Sequence, residues 1–312
     1  LPTPAVNASV FMMATNATDP NQVEYFFTNT VNGNVSGWQD ELLWTDTGLT
    51  DGLSYTYRVK ARDKSAGLNE TGWSSAQIAT ADDTIILYDS FELPVISGRT
   101  PENGTMAPGW TRSNGRVGLW NEDSGTMSTP FGYQSAWVWN ARYMTTTAGL
   151  LPDTLTAGTT YTLSFNAASE NGNGNIDYDV ELLAGGTVLS SVNGGPLGSS
   201  DHGAANDSLA FTAGPGHSNL GDTLAVRLRY VTGDWHYVLG YDNVTLTAVP
   251  GNYMWNRSAT NITTTTASLM GMLNAPQSTF DVNVYWSTQN NANASAWLLD
   301  SSAFNTSMGS HG

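Results

Sequence analysis

Cysteine is absent from all 312 residues. Disulfides, thiol catalysis and thiolate-held metals go with it. A cytosolic chain of this length ordinarily keeps a few thiols, so the composition predicts an exported protein, secreted or at the cell surface, of bacterial or archaeal type. Charge is scarce as well. Only 12% of residues are charged, and basic side chains are outnumbered 11 to 27, for a net charge of −16. Such a field repels phosphate backbones and excludes nucleic acid as a partner. It equally disfavours anionic membranes. No apolar run approaches the roughly 20 residues that span a bilayer, so no membrane insertion is expected. The opening LPTPAVNASV has neither the basic nor the apolar region of a secretory signal, and any such signal is expected to be already gone.

Residues for catalysis fail to assemble. The four histidines, His202, His217, His236 and His311, share no metal-binding spacing, and HExxH, GxSxG and P-loop patterns are missing. Ser200, Asp201 and His202 are adjacent, whereas a triad converges from different elements. Glu122 and Asp123 are also neighbours, whereas a glycosidase sets two acids across a cleft. The expectation is a chain that is not an enzyme.

Strand and turn fill the sequence instead. YTYRVKARD, TYTLSFNAAS, IDYDVELLAGGTVLS, DTLAVRLRYV and FDVNVYWST alternate with period two and are rich in Val, Tyr and Thr. Gly, Asn and Asp clusters such as ENGNGN and VNGGPLGSS separate them. No helical stripe stands out. The fold class is therefore all-β, built from sandwiches, in three units at 1–82, 83–249 and 250–312.

In the first unit, GLTDGLSYTYRVKARD is followed by GWS and a final strand. This resembles a fibronectin type III domain, a family of spacers and adhesive modules. The second unit opens SFELP, centres on LTAGTTYTLSFNA and closes YDNVTL. That order is similar to the galactose-binding-like jelly roll of carbohydrate-binding modules. The third unit, with ATNITTTTASLMGMLN and FDVNVYWST, looks like the start of another fibronectin-like sandwich. Its roughly 60 residues fall short of the ~90 such a fold needs, so further strands are expected from a longer chain or from a neighbouring one.

The jelly-roll resemblance implies one structural Ca²⁺. Its ligands here would be Glu92 and Asp242, with Asp89, from antiparallel ends of the unit; hard oxygen ligands suit that ion. A second acidic stretch, ENGNGNIDYDVE, alternates oxygen-bearing side chains but lacks a terminal bidentate glutamate, and reads as a hairpin whose Asp177, Asp179 and Glu181 face solvent.

Sugar rings present apolar C–H faces that aromatic rings complement, while amides and guanidinium groups fix hydroxyls. The carbohydrate-binding candidates are Trp120, Trp235, Trp137, Trp139, Tyr237, Arg116 and Asn121. Trp137 and Trp139 share one face of their strand, opposite Ala136 and Val138. If Ala136 and Val138 face the core, the tryptophans face outward onto a groove; otherwise they are the core. Ala and Val make a thin core strand, which argues for burial of at least one Trp.

Eleven Asn-x-Ser/Thr sequons occur, at Asn7, Asn16, Asn34, Asn69, Asn103, Asn206, Asn243, Asn256, Asn261, Asn293 and Asn305. Chance gives about six at this composition, so the excess admits glycosylation of some. Together these features predict a structural or adhesive surface protein with a glycan-binding-type jelly roll, whose partner is a polysaccharide or cell-surface glycan. Two alternatives stand beside it. One is a subunit of a filament, sheath or surface layer that polymerises with copies of itself. The other is an ancillary binding region of a polysaccharide-degrading enzyme.

Overall fold

A computed structural model describes residues 9–15, 17–92, 94, 96–100, 104–121, 134–147, 150–151, 153–170, 175–197, 205–233, 236–251, 253–263, 268–274, 280–286 and 304–311. For most of the residues after 251 it describes the backbone alone. Among the described residues there is no α-helix, and every regular element is a strand. The chain packs as two compact units. One comprises 1–155, 161–211 and 218–249; the other comprises 156–160, 212–217 and 250–312.

The first six strands are β1 (Val10–Met13), β2 (Val23–Asn29), β3 (Val35–Gln39), β4 (Leu43–Asp46), β5 (Ser54–Asp63) and β6 (Gln77–Thr80). β1 pairs with β4, and a four-stranded sheet runs β3-β2-β5-β6. Alternation decides which face is buried. Val10 and Met12, Tyr25 and Phe27, and Tyr55 and Tyr57 point into one core with Leu49 and Ala81. Asp46 is buried there and fully engaged. It accepts hydrogen bonds from Asn29 Nδ2 at 2.7 Å, Tyr57 OH at 3.1 Å and Asn34 Nδ2 at 2.6 Å. Burial and this carboxylate push the Tyr57 hydroxyl far above its usual range.

The central jelly roll comprises β7 (Ile85–Asp89), β8 (Trp110–Arg112), β9 (Val117–Asn121), β10 (Gln134–Val138), β11 (Tyr143–Thr146), β12 (Thr159–Ser169), β13 (Ile176–Ala184), β14 (Thr187–Leu197), β15 (Ala205–Thr212), β16 (Leu224–Thr232) and β17 (Leu239–Pro250). Its first sheet runs β15-β12-β17-β10-β9, with β7 also on β17; its second runs β14-β13-β16-β11-β8. Phe165 on β12, Tyr241 on β17 and Tyr178 on β13 meet edge to face between the sheets, with centroids 5.8 to 6.5 Å apart. Asn243, at φ 51°, adopts a left-handed conformation that Asn tolerates. It re-phases β17, so that Leu239 and Tyr241 before it and Val244 and Leu246 after it are all fully buried.

The last strands are β18 (Tyr253–Thr260), β19 (Ser268–Asn274), β20 (Phe280–Trp286) and β21 (Phe304–His311), paired β18 with β19 and β20 with β21.

Gly194 on β14 faces Tyr178, and a Cβ there would lie 2.0 Å from the tyrosine Cζ. Gly194→Ala is therefore expected to displace the interior ring and lower stability by about 1–3 kcal/mol. A urea melt followed by near-ultraviolet circular dichroism measures this; an unchanged midpoint would show that the ring has room to move.

Candidate functional site: the outer faces of the jelly roll

Once Tyr178, Val180 and Leu182 face inward, Asp179 and Glu181 must face outward from the second sheet. The register carries two rows across that face. Asn193, Asp179, Arg229 and Tyr143 form one; Ser191, Glu181, Arg227, Thr145 and Thr111 form the other. The second row crosses all five strands, roughly 19 Å at ~4.8 Å per strand. Asn193, Ser191, Arg229 and Thr111 are exposed.

The two acids between them are not solvated, contrary to the hairpin reading: Asp179 is 8% and Glu181 6% exposed. Long guanidinium side chains cover them. Glu181 accepts a hydrogen bond from Arg227 Nε, and Arg229 lies 3.9 Å from Asp179. The Arg227 guanidinium also sits 5.3 Å from the Tyr143 ring centroid. Burial, with repulsion from Glu181, holds the Asp179 carboxyl above its ordinary range, against the pull of Arg229. Its Oδ1 is buried, and no donor reaches it among the described residues. The sequence marked Asp179 only as part of a solvated strand. Arg227, Arg229 and Tyr143 were missed, because only the register aligns them.

The tryptophans occupy the outer face of the first sheet. Ala136 is opposite Leu119 and Tyr241, and Val138 is opposite Val117 and Leu239, all interior. Trp137 therefore points away from the main core, yet it is only 1% exposed and Trp120 7%. They form a separate cluster with Ala168, Val238 and half-buried Trp139. Two features close it. Gly118, opposite Trp137, leaves the space that a side chain would fill: a Cβ would lie 2.9 Å from Trp137 Nε1. Arg99, bridged to Trp120, lays its guanidinium 5.0 and 5.3 Å from the Trp120 and Trp137 rings. Trp137 Nε1 donates to the Leu119 carbonyl at 3.1 Å. Arg116 stacks 4.5 Å from Trp139. Asn121 donates to the Ile96 carbonyl at 2.9 Å, and Tyr237 is half-buried. Trp235, like Ser200–His202 and Glu122–Asp123, lies outside the described residues.

The expected metal ligands lie along one pair of strands but do not gather as a trio: among the described residues the acidic group whose oxygens come within 4.8 Å of one another is Asp51, Asp82 and Asp83. β7 and β17 are antiparallel neighbours, with Asp89 opposite Val244. Glu92 and Asp242 are both buried. Glu92 accepts from the Gln134 amide at 2.9 Å, and Asp242 from the Asn243 amide at 2.6 Å. Asp89 accepts from the Phe91 amide at 2.7 Å and Trp110 Nε1 at 2.6 Å. Burial, the largest influence, pushes its carboxyl up to about 6 despite those two bonds.

Of the sequons, Asn34, Asn69, Asn206 and Asn261 are exposed and Asn243 is half-buried. Asn34 and Asn69 already spend their amide nitrogens on Asp46 and Asp63. Asn7, Asn16, Asn103 and Asn293 lie outside the described residues, and Asn256 and Asn305 are described in backbone only.

Residues 82–247 match the HpiC1-like family (HpiC1 cyclase), and the chain belongs to that family. It is similar to Exoglucanase B of Cellulomonas fimi, 27% identical over 265 residues; that stretch is 83% of this chain but 22% of the relative, so the chain spans about a fifth of its length. Among solved structures it is similar to a cyclase from Fischerella sp. TAU in complex with 4-(1H-indol-3-yl)butan-2-one. The identity is 24%, 53% of this chain and 96% of that one are covered, and the TM-score is 0.46. It is also similar to the CBM22-1 xylan-binding domain of Paenibacillus barcinonensis Xyn10C, at 14% identity, 54% and 96% coverage and a TM-score of 0.35.

The raised carboxyl of Asp179 has a signed consequence. An acid that holds its proton more tightly when folded favours folding while protonated, and costs stability as pH rises and it ionises. Asp179→Asn removes that cost. The melting temperature of the variant relative to the parent should therefore climb as pH rises above the ordinary carboxylate range. Thermal scans across that rise in pH measure it; a flat difference would mean that Arg229 fully compensates the charge.

Proposed function

We propose that this chain is a non-catalytic, ancillary glycan-binding region of a secreted polysaccharide-acting protein, and that its jelly roll holds a neutral sugar chain across the outer face of the second sheet. The carrying observation is the unsatisfied, buried Asp179 Oδ1 amid fixed acid–guanidinium pairs beside the Tyr143 ring. A buried acceptor without a donor is costly, and a ligand hydroxyl would supply one when the exposed Arg229 side chain over it swings aside. The two acids and two arginines balance in charge, which matches a neutral ligand. Vicinal hydroxyls suit paired carboxylate and guanidinium groups, and an aromatic ring suits the apolar face of a sugar. The partial span of the exoglucanase relative supports the ancillary reading. On the first sheet, Trp139 with Arg116 is the more open part of the tryptophan cluster.

Affinity electrophoresis in gels carrying soluble xylan, β-glucan or galactan tests this. The chain should be retarded by at least one polymer, and Tyr143→Ala with Arg229→Ala should weaken retardation at least tenfold. Equal mobility of parent and variant in every gel would remove the proposal.

Membership of a family described as a cyclase favours a second reading. A carboxyl whose hold on its proton is strengthened by burial is a better proton donor, and Asp179 would then serve as a general acid toward a small bound molecule. Asp179→Asn separates the two: it retains most polymer binding if the face only recognises, and abolishes turnover if the face catalyses.

We propose further that Glu92 and Asp242, buried carboxylates beside the paired strands β7 and β17, hold a structural Ca²⁺. Bound calcium would supply the positive charge that the raised Asp89 carboxyl lacks, and would tie the two ends of the jelly roll together. Millimolar calcium should raise the melting temperature, and Glu92→Gln should erase the rise; ~100-fold saturation corresponds to about 2.7 kcal/mol. An identical melting temperature with chelator and with calcium would dismiss the ion.

A further inference from the structure

We propose that the outer face of the four-stranded sheet β3-β2-β5-β6, outside the jelly roll, is a second and independent surface for a neutral glycan. β5 places Arg58, Lys60 and Arg62 at alternate positions, so they share one face. The register sets Lys60 opposite Phe26 and Phe26 opposite Trp38, with Arg62 opposite Glu24. Trp73 arrives from the return between β5 and β6, which is fastened to β5: Thr71 N donates to the Ala61 carbonyl and Ser74 N to the Val59 carbonyl, each at 2.8 Å.

Three rings then surround one ammonium group. Lys60 Nζ lies 5.6, 5.0 and 5.1 Å from the Phe26, Trp38 and Trp73 centroids. The Arg62 guanidinium sits 4.1 Å from Trp38. Phe26 meets Trp38 at 5.4 Å and Trp73 edge-on at 6.1 Å. The cations are in turn held by acids, Lys60 by Glu70 at 2.6 Å and Arg62 by Glu24 at 2.5 Å. Lys64 pairs with Asp40 at the rim. Rings and charges are thus locked in place before any ligand arrives, which lowers the entropy lost on binding.

The chemistry of the face selects the occupant. Its cations are largely neutralised on the spot, so it offers an anion little attraction, and a chain of net charge −16 repels polyanions. The exposed apolar groups of this sheet, Trp73 at 44%, Ile78 at 68% and Val35 at 51%, are interspersed with Thr28, Thr56 and Arg58, whereas the centre of a protein interface is depleted of charge. What remains is an exposed indole beside Arg58, held on the Ser74 carbonyl, Glu70, held by Lys60, and the residues Thr28 and Thr56. A neutral polyhydroxylated chain satisfies both, with C–H faces on Trp73 and hydroxyls on the polar groups.

The test uses the full chain with the jelly-roll face disabled by Tyr143→Ala and Arg229→Ala, in gels of soluble xylan, β-glucan and galactan. This background should keep measurable retardation in one gel. Adding Trp73→Ala should reduce it at least tenfold, and Trp73→Tyr, which keeps a ring, should restore most of it. Thermal melting confirms that each variant is folded. No retardation of the background in any gel, or no effect of Trp73→Ala, overturns the proposal. Full retardation of the background overturns the jelly-roll site instead and leaves the Trp73 comparison decisive. Sedimentation velocity adds one further outcome: a dimer lost on Trp73→Ala without any change in retardation would make this face a contact between copies, and also overturns the proposal.

Discussion

The pleat of the jelly-roll strands, phased by three interior rings, governs the rest of the molecule. Phe165, Tyr178 and Tyr241 lock the two sheets edge to face. With period two, every neighbour of an interior residue must face out. Asp179 and Glu181 acquire their position from Tyr178 and Val180, and Trp137 acquires its position from Ala136 and Val138. A one-residue slip would bury the acids between the sheets and expose the core. The left-handed backbone at Asn243 is the local device that keeps β17 in phase on both sides of it.

The two outer faces solve burial differently. On the second sheet, guanidinium groups reach over the acids and pair with them, so burial is electrostatic and one carboxylate oxygen is left without a donor. On the first sheet, burial is steric: Gly118 makes room and Arg99 roofs the indoles. One face keeps an unmet polar demand; the other is closed over Trp120 and Trp137 and more open at Trp139.

Much of the architecture was legible in the sequence. Alternating strands and Gly/Asn turns gave an all-β chain, and the SFE and DNV ends do lie on antiparallel neighbours. The question posed by Trp137 and Trp139 had no sequence answer, because period two fixes which residues share a face and not which face is inside. The outcome belongs to neither simple alternative: Trp137 points outward and is buried. Its roof depends on Arg99, 38 residues away, and on the absence of a side chain at Gly118. The acid–arginine rows were equally hidden, because they align residues from β11, β13 and β16 that only strand pairing brings together.

Both lysines of the chain, Lys60 and Lys64, lie on or just beyond one strand of the first sandwich. The lysine amines are therefore confined to one strand and the residue after it. Both amines pair with an acid, but only Lys60 is also enclosed by rings, which makes Lys64 the more accessible amine toward acylating reagents. Coupling through amines would attach the chain at the end of one strand of the first sandwich, leaving the jelly roll unmodified.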